Sequence, residues 1–66
     1  MTRIEKLRKI VSERQYDKID GTLVDLFTAT AIVTCYDLAS EGAKHIIETA
    51  PLDKVANVAL RCVGRK

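Results

Sequence analysis

Between Leu23 and Ala39 the chain reads LVDLFTATAIVTCYDLA, a stretch that is apolar on nearly every side of a helix and is flanked by charged segments. A helix of that kind has to be covered on more than one face. A chain of 66 residues has little to cover it with, because chains this short bury only about 60% of the surface their unfolded form exposes. The pattern therefore predicts a central helix with more apolar surface than the rest of the chain can hide, and self-association as the way to hide it.

The class follows from what is left to build a core. Tyr16, Phe27 and Tyr36 are the only aromatic residues and Trp is absent, so Leu, Ile, Val and Ala must fill the interior. With 47% hydrophobic and 30% charged residues the chain is expected to fold, since disorder goes with low hydrophobicity. The expectation is all-α: one domain spanning 1–66, a small bundle of three to four short helices completed by homo-oligomerisation.

Local signals place those helices. Thr2-Arg-Ile-Glu5 has the form of a capping box, in which hydroxyl and carboxylate satisfy two free amides reciprocally. Ile4, Leu7, Ile10 and Val11 then form one apolar stripe on an otherwise charged helix, which is expected to run as far as Tyr16 or Ile19 and to stop at the turn dipeptide Asp20-Gly21. The second helix is expected over Leu23 to Ala39, capped by Asp20 or Thr22 with Asp25 in its first turn. Ser40 caps a short third helix carrying Ile46 and Ile47. Pro51 opens a fourth, on which Leu52, Val55, Ala56, Ala59, Cys62 and Val63 recur at helical spacing up to the stop at Gly64-Arg-Lys. Leu26, Phe27, Ala31, Ile32 and Leu38 are assigned to the core. Val24, Ile32, Val33 and Tyr36 are the candidate interface residues, with Tyr16 and Tyr36 read as core-edge side chains.

Little in the chain carries reaction chemistry. His45 is the only histidine, and Cys-x-x-Cys, His-Glu-x-x-His and a Gly-rich phosphate loop are all missing from the sequence, so His45 is read as an exposed helix residue. Asp25 and Asp37, twelve positions apart on one helix, stand about 18 Å apart along its axis, too far for paired-carboxylate catalysis. No nucleophile, base and orienting group assemble within the chain. The expectation is a non-enzyme with no cofactor and no metal.

Cys35 and Cys62 are read as reduced core thiols; a redox link between the second and fourth helices is the sharper alternative. The opening MTRIEKLRK does not have the form of a secretory leader. The longest strongly apolar run, Leu26 to Tyr36, is shorter than the roughly 20 residues of a spanning helix, so a cytoplasmic protein without a membrane partner is expected.

Charge is unevenly placed. Residues 1–20 carry six Lys/Arg against four Asp/Glu, residues 21–50 one against four, and residues 51–66 four against one, which gives +2, −3 and +3. Opposite signs of this kind suit surfaces that meet a neighbour or a copy. The basic residues Arg3, Lys6, Arg8, Lys9 and Arg14, with Arg61, Arg65 and Lys66, support a second reading in which a dimer presents its basic first helices to nucleic acid. Glu5, Glu13 and Asp17 interrupt that run, and the reading ranks below protein–protein contact.

Asp20-Gly21, Val24-Asp25-Leu26-Phe27-Thr28-Ala29, Ala31-Ile32-Val33, Tyr36-Asp37 and the proline-initiated last helix resemble a group of small proteins of actinobacterial bacteriophages and prophages. The resemblance runs from Asp20 onward. Its features are those of a fold, so it implies a phage origin and a host-cytoplasm setting and carries over no site residue. The function expected is that of a small phage-type accessory protein. Its partner would be a second copy of itself, or a host or phage protein.

Overall fold

A computed structural model describes residues 2–64, with side chains through residue 62. Four helices and one hairpin follow in the order α1 (Arg3–Glu13), β1 (Asp17–Ile19), β2 (Thr22–Val24), α2 (Leu26–Leu38), α3 (Glu41–Thr49) and α4 (Leu52–Gly64). The chain is a small, mostly helical unit with a two-stranded antiparallel sheet.

The capping box forms as its spacing requires. Thr2 accepts from the Glu5 amide at 3.3 Å, and the Glu5 carboxylate accepts from the Thr2 amide at 2.8 Å. The stripe Ile4, Leu7 and Ile10 turns inward. The first helix ends earlier than its sequence implies: Arg14 adopts a left-handed conformation with φ of 56° and its amide closes onto the Ile10 carbonyl.

Residues 17–24 correct the sequence reading. Asp20 (φ 51°) and Gly21 (φ 79°) form the two central positions of a hairpin turn in which Ile19 pairs with Thr22, Lys18 with Leu23 and Asp17 with Val24. Positive φ at both positions matches the twist of the flanking strands, and Asp-Gly is one of the favoured dipeptides for it. The alternation is clear: Ile19 and Val24 are buried, while Lys18 and Leu23 face outward. Pairing therefore wins over helix at both ends of the turn, because it delivers two β-branched side chains to the core.

Asp25 is consequently the N-cap of α2 and not part of its first turn; its carboxylate accepts from the Thr28 amide at 2.8 Å. That bond holds the Asp25 carboxyl below its ordinary range. Asp25→Ala should cost about 1 kcal/mol, and Asp25→Asn, an equally good cap, close to nothing at neutral pH. A carboxyl whose pKa is lowered by folding contributes stability above its unfolded value near 4 and loses it as pH falls through the folded value. Urea unfolding between pH 7 and pH 3 should therefore show a steeper acid loss for the native chain than for Asp25→Asn.

Ala39 is extended and Ser40 at once caps α3, accepting from the Ala43 amide at 3.3 Å. Ala50, extended as a residue before proline must be, leads into α4, where Pro51 supplies its carbonyl to Lys54 and Val55. The body is α1, α2, α4 and the hairpin, with α2 in the middle. The buried set is Ile4, Leu7, Ile10, Ile19, Val24, Ala29, Ala31, Ile32, Leu52, Val55, Ala56 and Ala59. No α3 residue is fully buried.

Three of the five core assignments fail. Ala31 and Ile32 are buried, but Leu26, Phe27 and Leu38 are 38%, 63% and 84% exposed. The small residues Ala29 and Ala31 occupy the contacts between α2 and its neighbours, so the bulky residues at its two ends point away. Val63, Arg65 and Lys66 lie outside the residues whose side chains are described.

Two polar contacts tie α3 to the body. The Glu48 carboxylate accepts from the amides of Arg3 and Ile4, each at 3.2 Å, which satisfies free donors at the start of α1. In return the Arg3 guanidinium donates to the carbonyls of Ile47 (2.8 Å) and Ala50 (2.6 Å) at the end of α3, and it pairs with Asp20 in the hairpin turn at 3.0 Å. Each helix thus supplies the side chain that completes the other's terminus.

Candidate functional site

Packing α3 beside α4 leaves a groove of about 310 Å³ over α2. Ile32, Cys35 and Ala39 of α2 and its C-cap back it; Ala43, Ile46 and Ile47 of α3 form one wall and Val55, Val58 and Cys62 of α4 the other. Among the described residues, Lys54 is the only charged one lining it. Ile46 and Val58, at its two lips, are 60% and 61% exposed. The cause is local: α3 offers Ala43 and Ala50 where a bulkier side chain would close the gap.

A second uncovered surface lies roughly a quarter-turn around α2 from the groove. Phe27, Thr34 and Leu38 are exposed along one stripe of α2, and with the buried Ala31 at its inner edge they follow at intervals of four, three and four residues, the spacing of a helix–helix seam. Leu23 and Tyr16, 64% and 72% exposed, extend the surface at the hairpin end; Tyr16 is therefore not a core-edge residue. Beside the stripe, the Arg8 guanidinium pairs with the Asp37 carboxylate at 2.5 Å. This hydrogen bond raises the Arg8 pKa and lowers that of Asp37.

The four candidate interface residues do not come together on the surface. Val24 and Ile32 are fully buried and belong to the core. Val33 is half-buried against it. Tyr36 is half-buried against the core, with the Lys44 ammonium 5.3 Å and the Arg8 guanidinium 6.0 Å from its ring centroid, a cation–π arrangement. The residues that are left uncovered, Phe27 and Leu38, sit two positions before and six positions after the buried centre Ala29 to Ile32 of the helix.

The five basic candidates separate. Arg3 and Arg8 are engaged by Asp20 and Asp37 within the chain. Lys6 and Lys9 remain exposed beside a shallow depression that Glu13 and Asp17 also line, and Arg14 closes α1. His45 is exposed. Among the described residues, three or more His, Cys, Asp or Glu side chains do not group as a metal site would require, and no helix is long and apolar enough to cross a membrane.

Cys35 is half-buried, whereas Cys62 is exposed and is not the core thiol its position in the stripe implies. Burial, and then the neighbouring Cys62, push the Cys35 thiol above its ordinary pKa.

Comparison with protein-family models, with curated proteins and with solved structures finds no match to this chain. The functional reading therefore rests on its own surfaces.

Proposed function

We propose that this chain is a small, non-enzymatic accessory protein of phage type that works by protein–protein contact, first with a second copy of itself and then with another protein. The observation that carries this reading is the exposure, among the described residues, of seven large apolar side chains, Tyr16, Leu23, Leu26, Phe27, Leu38, Ile46 and Val58. They are not scattered: Tyr16 and Leu26 line one depression beside the hairpin that carries Leu23, Phe27 and Leu38 lie on the outer face of α2, and Ile46 and Val58 form the lips of the groove. Apolar patches rimmed by polar residues mark interaction sites.

The outer face of α2 suits a two-fold contact. In an antiparallel pair, Phe27 of each copy packs beside Leu38 of the other, and the exposed small residues Thr30 and Thr34 between them let the helix axes approach. Such an interface presents the same patch from both sides, which requires that the patch not repel itself. The Arg8–Asp37 pair supports that, since it leaves the neighbouring rim neutral. The groove, roughly a quarter-turn away around α2, stays open in such a dimer. With Lys54 at its lip and Arg61 in the last turn of α4, it favours an amphipathic helix with acidic flanks, docked as helices dock in apolar grooves.

The test is charge insertion on each surface in turn. Phe27→Glu with Leu38→Glu should give a folded monomer by sedimentation equilibrium where the native chain is a dimer. Val58→Glu, in the groove, should leave the dimer intact. Dimers that persist in the first variant, or that are lost in the second, would assign self-association to a different face.

A further inference from the structure

Cys35 occupies the third turn of α2, on the groove floor, and Cys62 the last turn of α4, at its lip. The Cys35 Sγ lies 4.0 Å from the carbonyl oxygen of Ala59. Ala59 is one turn before Cys62, and side chains on a helix lean toward its N-terminus. The Cys62 side chain therefore leans back toward the level at which the Cys35 thiol sits, near enough to act on it. One of the two is open to reagents and the other is sheltered, which orders their reactivity.

We infer that Cys35 and Cys62 form an intrachain disulfide when a disulfide oxidant such as oxidised glutathione is present, and that this bond closes one end of the α3–α4 groove to a docked helix. The closure rests on the reading of the groove as a docking surface; the bond does not. In the first step the exposed Cys62 thiolate attacks a glutathione sulfur, forming a mixed disulfide and releasing one glutathione thiolate. In the second the Cys35 thiolate attacks the Cys62 sulfur and releases the other glutathione. Two protein thiols are oxidised and one glutathione disulfide is reduced to two glutathione thiols, with two protons passing to solvent or to the released thiolates. The second step depends on Cys35 ionising, and exchange rates follow the thiolate fraction, so it should accelerate as pH rises. Once linked, the Cys62 side chain is drawn across the floor where an incoming apolar side chain would sit.

The experiment treats the reduced, full-length chain with oxidised glutathione and follows intact mass together with the fluorescence of anilinonaphthalene sulfonate, an apolar-surface dye. The expected product is a single chain lighter by two hydrogen atoms, with most of the groove-dependent dye signal lost, the groove-dependent part being that removed by Val58→Glu in the reduced protein. Cys35→Ser should stop at the glutathione adduct of Cys62 and keep its dye signal. A native product that retains glutathione, or that links two chains, overturns the bond. A correct disulfide with undiminished dye signal overturns the closure. If Val58→Glu does not alter the dye signal of the reduced protein, the groove reading fails, while the mass still decides the bond.

Discussion

Ile32→Ala should destabilise the folded chain by about 2–5 kcal/mol, the range for removing a fully enclosed branched side chain and leaving a cavity. Ile32 is completely buried in the middle of α2, where the helix meets both α1 and α4. For a domain of this size the whole folding stability is expected at roughly 3–10 kcal/mol, so the variant should be partly or wholly unfolded at 37 °C. Leu38→Ala, six residues further along the same helix, should behave differently, because Leu38 is 84% exposed in the single chain. Surface substitutions of this kind usually fall within about 0.5 kcal/mol. Any larger loss for Leu38→Ala should appear only at concentrations where copies associate, since an interface contributes to stability by mass action. Urea unfolding at two protein concentrations separates the cases: the Ile32→Ala deficit should be the same at both, and that of Leu38→Ala should grow with concentration. Equal, concentration-independent losses would place Leu38 in the core of the single chain.

Arg3→Ala should cost roughly 2–3 kcal/mol, on the scale of hydrogen bonds made by charged groups. Its guanidinium joins three elements, holding two carbonyls at the end of α3 and the Asp20 carboxylate in the hairpin turn while standing on the first turn of α1. The side chain is only 11% exposed, so water replaces its donors poorly. Arg3→Lys should recover less than half of the loss, because an ammonium cannot span these acceptors with a planar fork. Exchange of α3 amides with solvent should accelerate in both variants before that of α2 amides, since α3 contributes nothing fully buried. Uniform acceleration across all helices would mean that Arg3 supports the fold as a whole.

How much of this was legible in the sequence varies with how local the signal is. Thr2, Ser40 and Pro51 mark helix starts through atoms a few residues away, and all three helices begin where these residues put them. The inner stripe of α1 follows from apolar spacing alone. The hairpin was harder. Asp20-Gly21 was visible as a turn, but the strands on either side are three residues each, too short to show alternation against a background of helix-compatible residues. Missing it shifted the start of α2 by three positions and moved Asp25 from its first turn to its cap. The inward face of α2 was not legible at all, because a helix apolar on all sides carries no periodic signal. Which of Leu38 and Ile32 is buried depends on where α1 and α4 land, a tertiary fact. The exchange of caps between Arg3 and Glu48, 45 residues apart, belongs to the same class. So does the approach of Cys35 and Cys62: their helices could be named from the sequence, but not their common level along the groove.

The central claim, that the outer face of α2 is an interface between copies, is tested most directly by the absolute mass of the native chain in solution. Light scattering after size exclusion, in reducing buffer and over a hundredfold range of concentration, should give twice the chain mass at the upper end, falling toward the single-chain mass on dilution. Phe27→Glu with Leu38→Glu should stay at the single-chain mass throughout while keeping native helical circular dichroism. A native chain that remains a folded monomer at every concentration would contradict the account and leave Phe27 and Leu38 as surface for a different protein.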